Sequence, residues 1–277
     1  MKIQSNGMGT QSVAMYLMAS TGILPRFDYS IFVDTGLEKP RTYWMLDWLQ
    51  KWAKKNNGIE LIVITKKNLA SDLLKKNNST GNRFASIPAF TNGSDGMLRR
   101  QCTSEYKIVQ IQRKIKEIQG LGANDRYLPF DNYIGISLDE LSRVGMAFIA
   151  KETRIYPFCN IETTKAKTFH YPDKYFEGNG VTRGYLINWL LENNYPDPGK
   201  SSCAFCPFMS DSEWKEIKKD PETWKEVVAI DEAIRDSSKQ GVKNPIYLHK
   251  QCKPINEVTF IENQTSMFNC DGGVCHV

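Results

Sequence analysis

The chain opens with MKIQSNGMGTQS, residues 1–12. Residues 1–5 read as a short strand and residues 6–10 as a glycine-containing turn. Residues 11–20 read as a helix, with Val13, Tyr16 and Leu17 at helical spacing and Gly22 just past its end. A strand that runs through small residues into a helix lets backbone N–H groups approach phosphate oxygens. The helix N-terminus adds a partial positive charge. Ser5, Thr10 and Ser12 add hydroxyl donors. The loop is neither G-x-x-x-x-G-K-[ST] nor G-x-G-x-x-G, and an ordinary strand–helix turn is the alternative reading.

Working outward, YSIFVD (29–34) reads as a buried strand, with Thr35 and Gly36 as its exit turn. Pro40 suits a first helical position, and Met45, Leu46, Leu49, Trp52 and Ala53 mark one face of the helix that follows. LIVIT (61–65) and YIGIS (133–137) read as further strands, and residues 106–118 as an amphipathic helix. This alternation predicts an α/β fold, a doubly wound and mostly parallel sheet with helices on both faces. Residues 77–99, polar and including TNGSDG, are expected to form a mobile loop near a site. Past Pro196, Pro198 and Gly199 the style changes to Trp- and charge-rich helices at 211–219 and 221–238, then an irregular tail. The expected division is a nucleotide-binding α/β domain over 1–195 and a small Cys-bearing cap over 196–277 that packs on it.

At 277 residues, 41% hydrophobic and 24% charged, the chain can bury a core, which excludes disorder, collagen and coiled coil. No apolar run follows the start and none reaches about 18 residues. No secretory signal or membrane partner is therefore expected, and the location expected is cytoplasmic. The net charge of +5, with basic clusters at 51–55, 66–67, 75–76 and 99–100, suits a nucleotide or nucleic acid; solvated helix faces are the plainer reading. Seven cysteines, unevenly spaced, point to metal or reactive sulfur rather than disulfides in a reducing compartment. Cys203-x-x-Cys206 is a tight pair able to share one metal or cluster. A Cys₄ zinc site from 203, 206, 270 and 275 is the structural alternative. Cys159 and the six tryptophans are expected in the core. His249 is read as either a site residue or a satisfied surface histidine.

Taken in order, the motifs resemble those of the PP-loop ATP pyrophosphatases, in their phosphoadenosine-phosphosulfate-reductase-like branch. The loop from Ser5 to Ser12 resembles the family's pyrophosphate loop, with Met8 where the first of paired glycines usually falls. Phe32 to Gly36 with Glu38 and Pro40, Gln101-Cys102-Thr103 through Lys107, and Gly135-Ile136-Ser137 with Asp139, Glu140 and Arg143 continue the likeness. So do Tyr156-Pro157, the stretch from Lys200 to Phe208, Leu248-His249 and the Cys-containing tail from Asn269 to Cys275.

The resemblance implies an adenine nucleotide alpha hydrolase-like fold that binds ATP and Mg²⁺. Ser5, Asn6, Gly7, Met8, Gly9, Thr10, Gln11, Ser12, Asp34, Thr35, Gly135 and Ser137 would contact the nucleotide. Lys107 and Arg143 would supply cations, and Asp34 would bind ribose or magnesium. Cys102, Cys203, Cys206 and Cys270 would hold a 4Fe–4S cluster, with Cys275 or Cys252 as other fourth ligands and zinc as the alternative metal. The implied reaction is adenylation of an acceptor, a DNA backbone phosphate, for sulfur insertion as in DNA phosphorothioation. A cysteine desulfurase or other sulfur donor, and a homodimer or larger modification complex, would accompany it. The alternatives are a thiol-dependent reductase of an adenylyl sulfate, using Cys275, and a non-catalytic ATP-binding subunit.

Overall fold

The computed structural model describes residues 1–81, 83–92 and 96–261. Its central sheet has seven strands in the order β3-β2-β1-β5-β6-β7-β8. These are β1 (Lys2–Asn6), β2 (Tyr29–Val33), β3 (Glu60–Ile64), β5 (Phe130–Ile134), β6 (Glu152–Tyr156), β7 (Ile161–Thr163) and β8 (Thr168–His170). The first five are mutually parallel, and β7 and β8 add an antiparallel edge. A two-residue β4 (Phe90–Thr91) pairs with β9 (Ile246–Tyr247) outside this sheet.

Period-two alternation sends neighbouring residues of each strand to opposite faces. Ile3, Ile31 and Phe130 pack under α4 (Val109–Ile118) through Ile111 and Ile115. Phe32, Tyr133 and Ile155 face the other way, toward α1 (Thr10–Ser20), α2 (Pro40–Asn56) and α5 (Arg183–Glu192). Both faces are covered, as a mostly parallel sheet requires. A third core joins α3 (Leu69–Leu74) and Ile87 to α6 (Asp211–Lys218) and α7 (Pro221–Ile234), so residues from both sides of position 195 share one apolar cluster. No described helix is long and apolar enough to cross a membrane.

The chain winds from β1 out to β3 and returns to β5, beside β1. The strand order therefore reverses between β1 and β5, where sheets of this kind open a crevice at their carboxyl ends. A buried polar ladder fixes that spot. Asn6 Nδ2 donates to Ser30 Oγ (3.1 Å), Ser30 Oγ donates to Gln4 Oε1 (2.8 Å), and Gln4 Nε2 donates to the Ser12 carbonyl (2.6 Å). The ladder ties the first turn of α1 to the strands below it.

Several expectations shift. The fifth strand ends at Ile134, so Gly135 to Ser137 form its exit turn and not its last residues. A Cβ at Gly135 would lie 3.0 Å from backbone atoms of Gln11 and Ser12, so the strand end packs directly on the start of α1. The helix expected from Tyr106 begins earlier, as a π-helical turn over Thr103–Ile108. The β7–β8 hairpin went unread because its strands are only three residues each. Trp44 is not core: it is 46% exposed, with the Arg41 guanidinium 4.1 Å above its ring. The helix expected over 221–238 stops at Ile234.

Met8 has a positive φ of 58° and a side chain buried against the α1 core. Left-handed backbone costs a non-glycine residue ~1–2 kcal/mol, whereas truncating a buried methionine costs ~2–5 kcal/mol. Met8→Gly is therefore expected to lower the melting temperature. A rise on thermal denaturation would show that backbone strain outweighs burial there.

Candidate functional site

A cavity of about 310 Å³ opens at the β1–β5 reversal. Its floor is the loop after β1, contributed by Gly7, Gly9, Gln11 and Ser12, with Gly135 from the exit of β5. The α1 helix begins there without a side-chain cap and without an acid in its first turn. The Thr10 amide donates to the Gly199 carbonyl (3.1 Å) and the Gly7 amide to Ser12 Oγ (3.2 Å). First-turn N–H groups have no intrahelical partner, so the Gln11 and Ser12 amides remain for an anion that enters the cavity.

One wall comes from the C-terminal part of the chain. Residues 199–204 run along the exit of β2: the Ala204 amide donates to the Leu37 carbonyl (2.9 Å) and the Lys39 amide to the Ser202 carbonyl (3.2 Å). This backbone pairing brings Lys200, Ser201, Ser202, Cys203 and Cys206 to the cavity. Cys206 N–H closes a tight turn on the Cys203 carbonyl at 3.1 Å. Arg100, Ile87 and Pro88, from the chain between α3 and the π-helical turn at 103, line the cavity as well.

The deepest electrostatic feature is a buried carboxylate. Glu38 is 1% exposed. Its Oε1 accepts from Thr35 Oγ1 (2.8 Å) and lies 3.2 Å from Lys107 Nζ, while Oε2 is buried with no hydrogen-bond partner. Burial alone would pull the Lys107 ammonium down, but Glu38 outweighs it and the net shift is upward. Lys107 therefore stays charged, and the π-helical turn, one residue wider than an α-turn, carries it to the cavity. Cys203 Sγ sits 3.0 Å from Thr35 Oγ1 and 3.9 Å from Glu38. Burial, then the Glu38 charge, pushes the Cys203 thiol well up, and burial raises Cys206. Both stay protonated near neutral pH.

Of the residues expected at the site, Gly7, Gly9, Gln11, Ser12, Thr35, Cys102, Lys107, Gly135, Arg143, Cys203 and Cys206 line the cavity. The other described ones do not line it. Ser5 Oγ donates to Asn132 (2.8 Å), and Asn6 holds the Met8 amide (2.8 Å) as well as Ser30. Met8 points into the core, and Thr10 Oγ1 donates to Asp197 (2.7 Å). Asp34 accepts from the Gly36 amide (2.8 Å) and Tyr43 hydroxyl (3.0 Å), which makes it a turn-shaping residue in this structure. Ser137 is buried and accepts a 3.4 Å bond from Gln11. His249 is neither a cavity residue nor a surface one: it is buried, 3.3 Å from Asp211, under the Phe260 ring. Arg183, at the start of α5, lines the cavity with no preceding motif to announce it.

No family model matches the chain, and no curated protein does.

The thiols at 102, 203 and 206 line one cavity. Among the described residues no three Cys, His, Asp or Glu side chains come together as a metal-ligating group. Cys270 and Cys275 lie outside the described residues. The described thiols alone do not complete a ligand set.

Glu38→Gln removes the charge that holds Lys107 up and Cys203 up. The expected stability loss is at the low end of the ~3–5 kcal/mol typical for breaking a buried pair. At pH 8 the Cys203 thiol should react faster with a disulfide reagent, since its pKa falls toward the ordinary range. The gain should vanish in Glu38→Gln/Cys203→Ser; an unchanged rate would contradict the coupling.

Proposed function

We propose that the chain is an ATP pyrophosphatase of the PP-loop type that adenylates an acceptor oxygen, a backbone phosphate of DNA, for sulfur insertion. The observation that carries this reading is the uncapped start of α1, with Gly9, Gln11 and Ser12, lining the same cavity as Lys107, Arg143 and Arg183 at the sheet's switch point. In this reading the Gln11 and Ser12 amides and the Ser12 hydroxyl hold the β- and γ-phosphates. Lys107, kept charged by Glu38, faces the leaving pyrophosphate. Arg143, 2.6 Å from Glu140, and Arg183, which line the same cavity, face the acceptor. The acceptor oxygen attacks the α-phosphorus, the bond to the β-phosphate oxygen breaks, and pyrophosphate leaves. Magnesium would neutralise phosphate charge, and Asp34 would serve it only by giving up its bonds to Gly36 and Tyr43.

A thiol-dependent reductase that uses Cys275, which lies outside the described residues, and a non-catalytic nucleotide sensor are the other readings; both need the same nucleotide cradle, and turnover separates them. A cysteine desulfurase as sulfur donor belongs to the proposed reaction, as does a 4Fe–4S cluster with Cys270 as fourth ligand, zinc being the alternative.

Pyrophosphate release from ATP, with and without DNA, tests the reading. The expected result is release that DNA stimulates and Lys107→Ala lowers by at least about a hundredfold, as for loss of a preorganised charge. Sulfite release from adenylyl sulfate in its place would establish the reductase, and ATP binding without turnover the sensor. Iron, sulfide and zinc assays on anaerobically purified protein read the metal: four irons, lost in Cys203→Ala, are expected, and zinc without iron would replace the cluster.

A further inference from the structure

Of the three hydroxyls in residues 5–12, two are spent on the protein itself. Ser5 donates to Asn132 and Thr10 Oγ1 to Asp197, while the Thr10 amide donates to the Gly199 carbonyl. A triphosphate on this loop therefore draws further donors from another part of the chain. The strap at residues 199–202 is placed to supply them. A Cβ at Gly9 would lie 3.3 Å from Ser201 Oγ, and 3.6 Å from both the Gly199 carbonyl oxygen and the Ser201 amide nitrogen. One at Gly7 would lie 3.8 Å from Ser201 Oγ. The strap thus packs directly on the two glycines of the loop, and a side chain at Gly9 would press on it.

The strap keeps its own donors unspent. Lys200, Ser201 and Ser202 all line the cavity. Ser202 Oγ is buried with no hydrogen-bond partner, and among the described residues the Ser201 hydroxyl has none either. Lys200 Nζ lies 3.7 Å from Glu213 Oε2, beyond hydrogen-bond distance. That carboxylate is already met by Lys39 Nζ (2.5 Å, on Oε1) and by the Ser210 amide (2.9 Å, on Oε2). Lys39, its side chain 11% exposed, also donates to the Lys200 carbonyl (3.4 Å) and is the more deeply committed of the two lysines. Lys200, with 26% exposure and a flexible four-carbon stem, is the one able to turn to an anion in the cavity. A buried hydroxyl without a partner costs free energy until a ligand meets it.

We propose that Lys200 and the hydroxyls of Ser201 and Ser202 form the second half of the phosphate cradle, and hold the β- and γ-phosphates of the nucleotide against the start of α1. The proposal rests on the ATP reading above and names the residues that stand in for the spent hydroxyls of the loop. Lys200 exchanges its loose contact with Glu213 for a phosphate oxygen, while Lys39 stays on the carboxylate. The strap then grips the part of the nucleotide that AMP lacks, which makes Lys200 a determinant of specificity for the triphosphate.

The test is isothermal titration of the full chain, in magnesium, with AMP and with α,β-methylene-ATP, whose α–β linkage cannot be cleaved. Lys200→Ala should weaken the triphosphate analogue by about ten- to a hundredfold, as for loss of a hydrogen bond to a charged group, and leave AMP within about twofold. Ser201→Ala should weaken the analogue by about fivefold, again without effect on AMP. Lys200→Arg keeps the charge and should restore most of the affinity. The strap is tied to Thr10 and Lys39 through its backbone carbonyls, so these variants should fold, and melting curves check it. Wild-type affinity for the analogue in Lys200→Ala would overturn the proposal. So would an equal loss of AMP and the analogue, because the strap would then act on the fold and not on the outer phosphates. Analogue binding that needs Lys200, in a protein that releases no pyrophosphate from ATP, would sink the enzymatic reading alone. A wild-type chain that binds neither nucleotide would overturn both.

Discussion

Glu38 sets the terms for everything around it. A carboxylate with almost no access to water is tolerated only where a cation and hydrogen-bond donors meet it. Those partners come from three separate parts of the chain. Thr35 arrives from the exit of β2, Lys107 from the π-helical turn, and Cys203 from the strap that runs along residues 37–39. Each is brought by a different backbone device, and the cavity is the space left between them. Its second carboxylate oxygen, unpartnered, keeps a full acceptor beside Lys107 and Cys203.

The sheet supplies the frame. β1 and β5 are paired neighbours whose onward connections leave toward opposite edges of the sheet, and the opening lies between those connections. The loop after β1 and the glycine after β5 fill its floor at backbone contact distance. The C-terminal helices α6 and α7 do not form a detached cap. Their apolar faces share a core with α3 and Leu37, which is why the 199–204 strap lies at a fixed distance from the α1 N-terminus. Local charge then differs from wall to wall. Burial holds the Cys203 and Cys206 thiols up, Lys107 is charged, and Arg143 is held by Glu140.

Much of this was legible in the sequence, for definite reasons. Four of the five parallel strands are legible: β2 and β3 as apolar runs, β1 by the turn and helix that follow it, and β5 in its last residues, whereas β6, ETRIY, mixes charged and apolar residues and gave no signal. Members of each motif, among them Gly7 and Ser12, Cys102 and Lys107, Gly135 and Arg143, and Cys203 and Cys206, far apart in sequence, line one cavity. Spacing could not say which way a side chain points. Ser5, Asn6 and Thr10 are spent on neighbours, and Asp34 shapes its own turn. His249, read as either a site residue or a satisfied surface histidine, is a buried partner of Asp211 instead. Arg183 gave no signal, because an arginine at the first position of a helix has many ordinary uses. The β7–β8 edge escaped notice since three-residue strands fall below any periodicity.

The central claim is that triphosphate sits on the loop after β1 and against Lys107. Hydrogen–deuterium exchange with and without a non-hydrolysable ATP analogue and magnesium addresses it directly. The account predicts slowed exchange at the amides of 9–12 and over 103–108, with little change at β3, which lies at the far edge of the sheet. Protection elsewhere, with residues 9–12 exchanging as in the free protein, would contradict it.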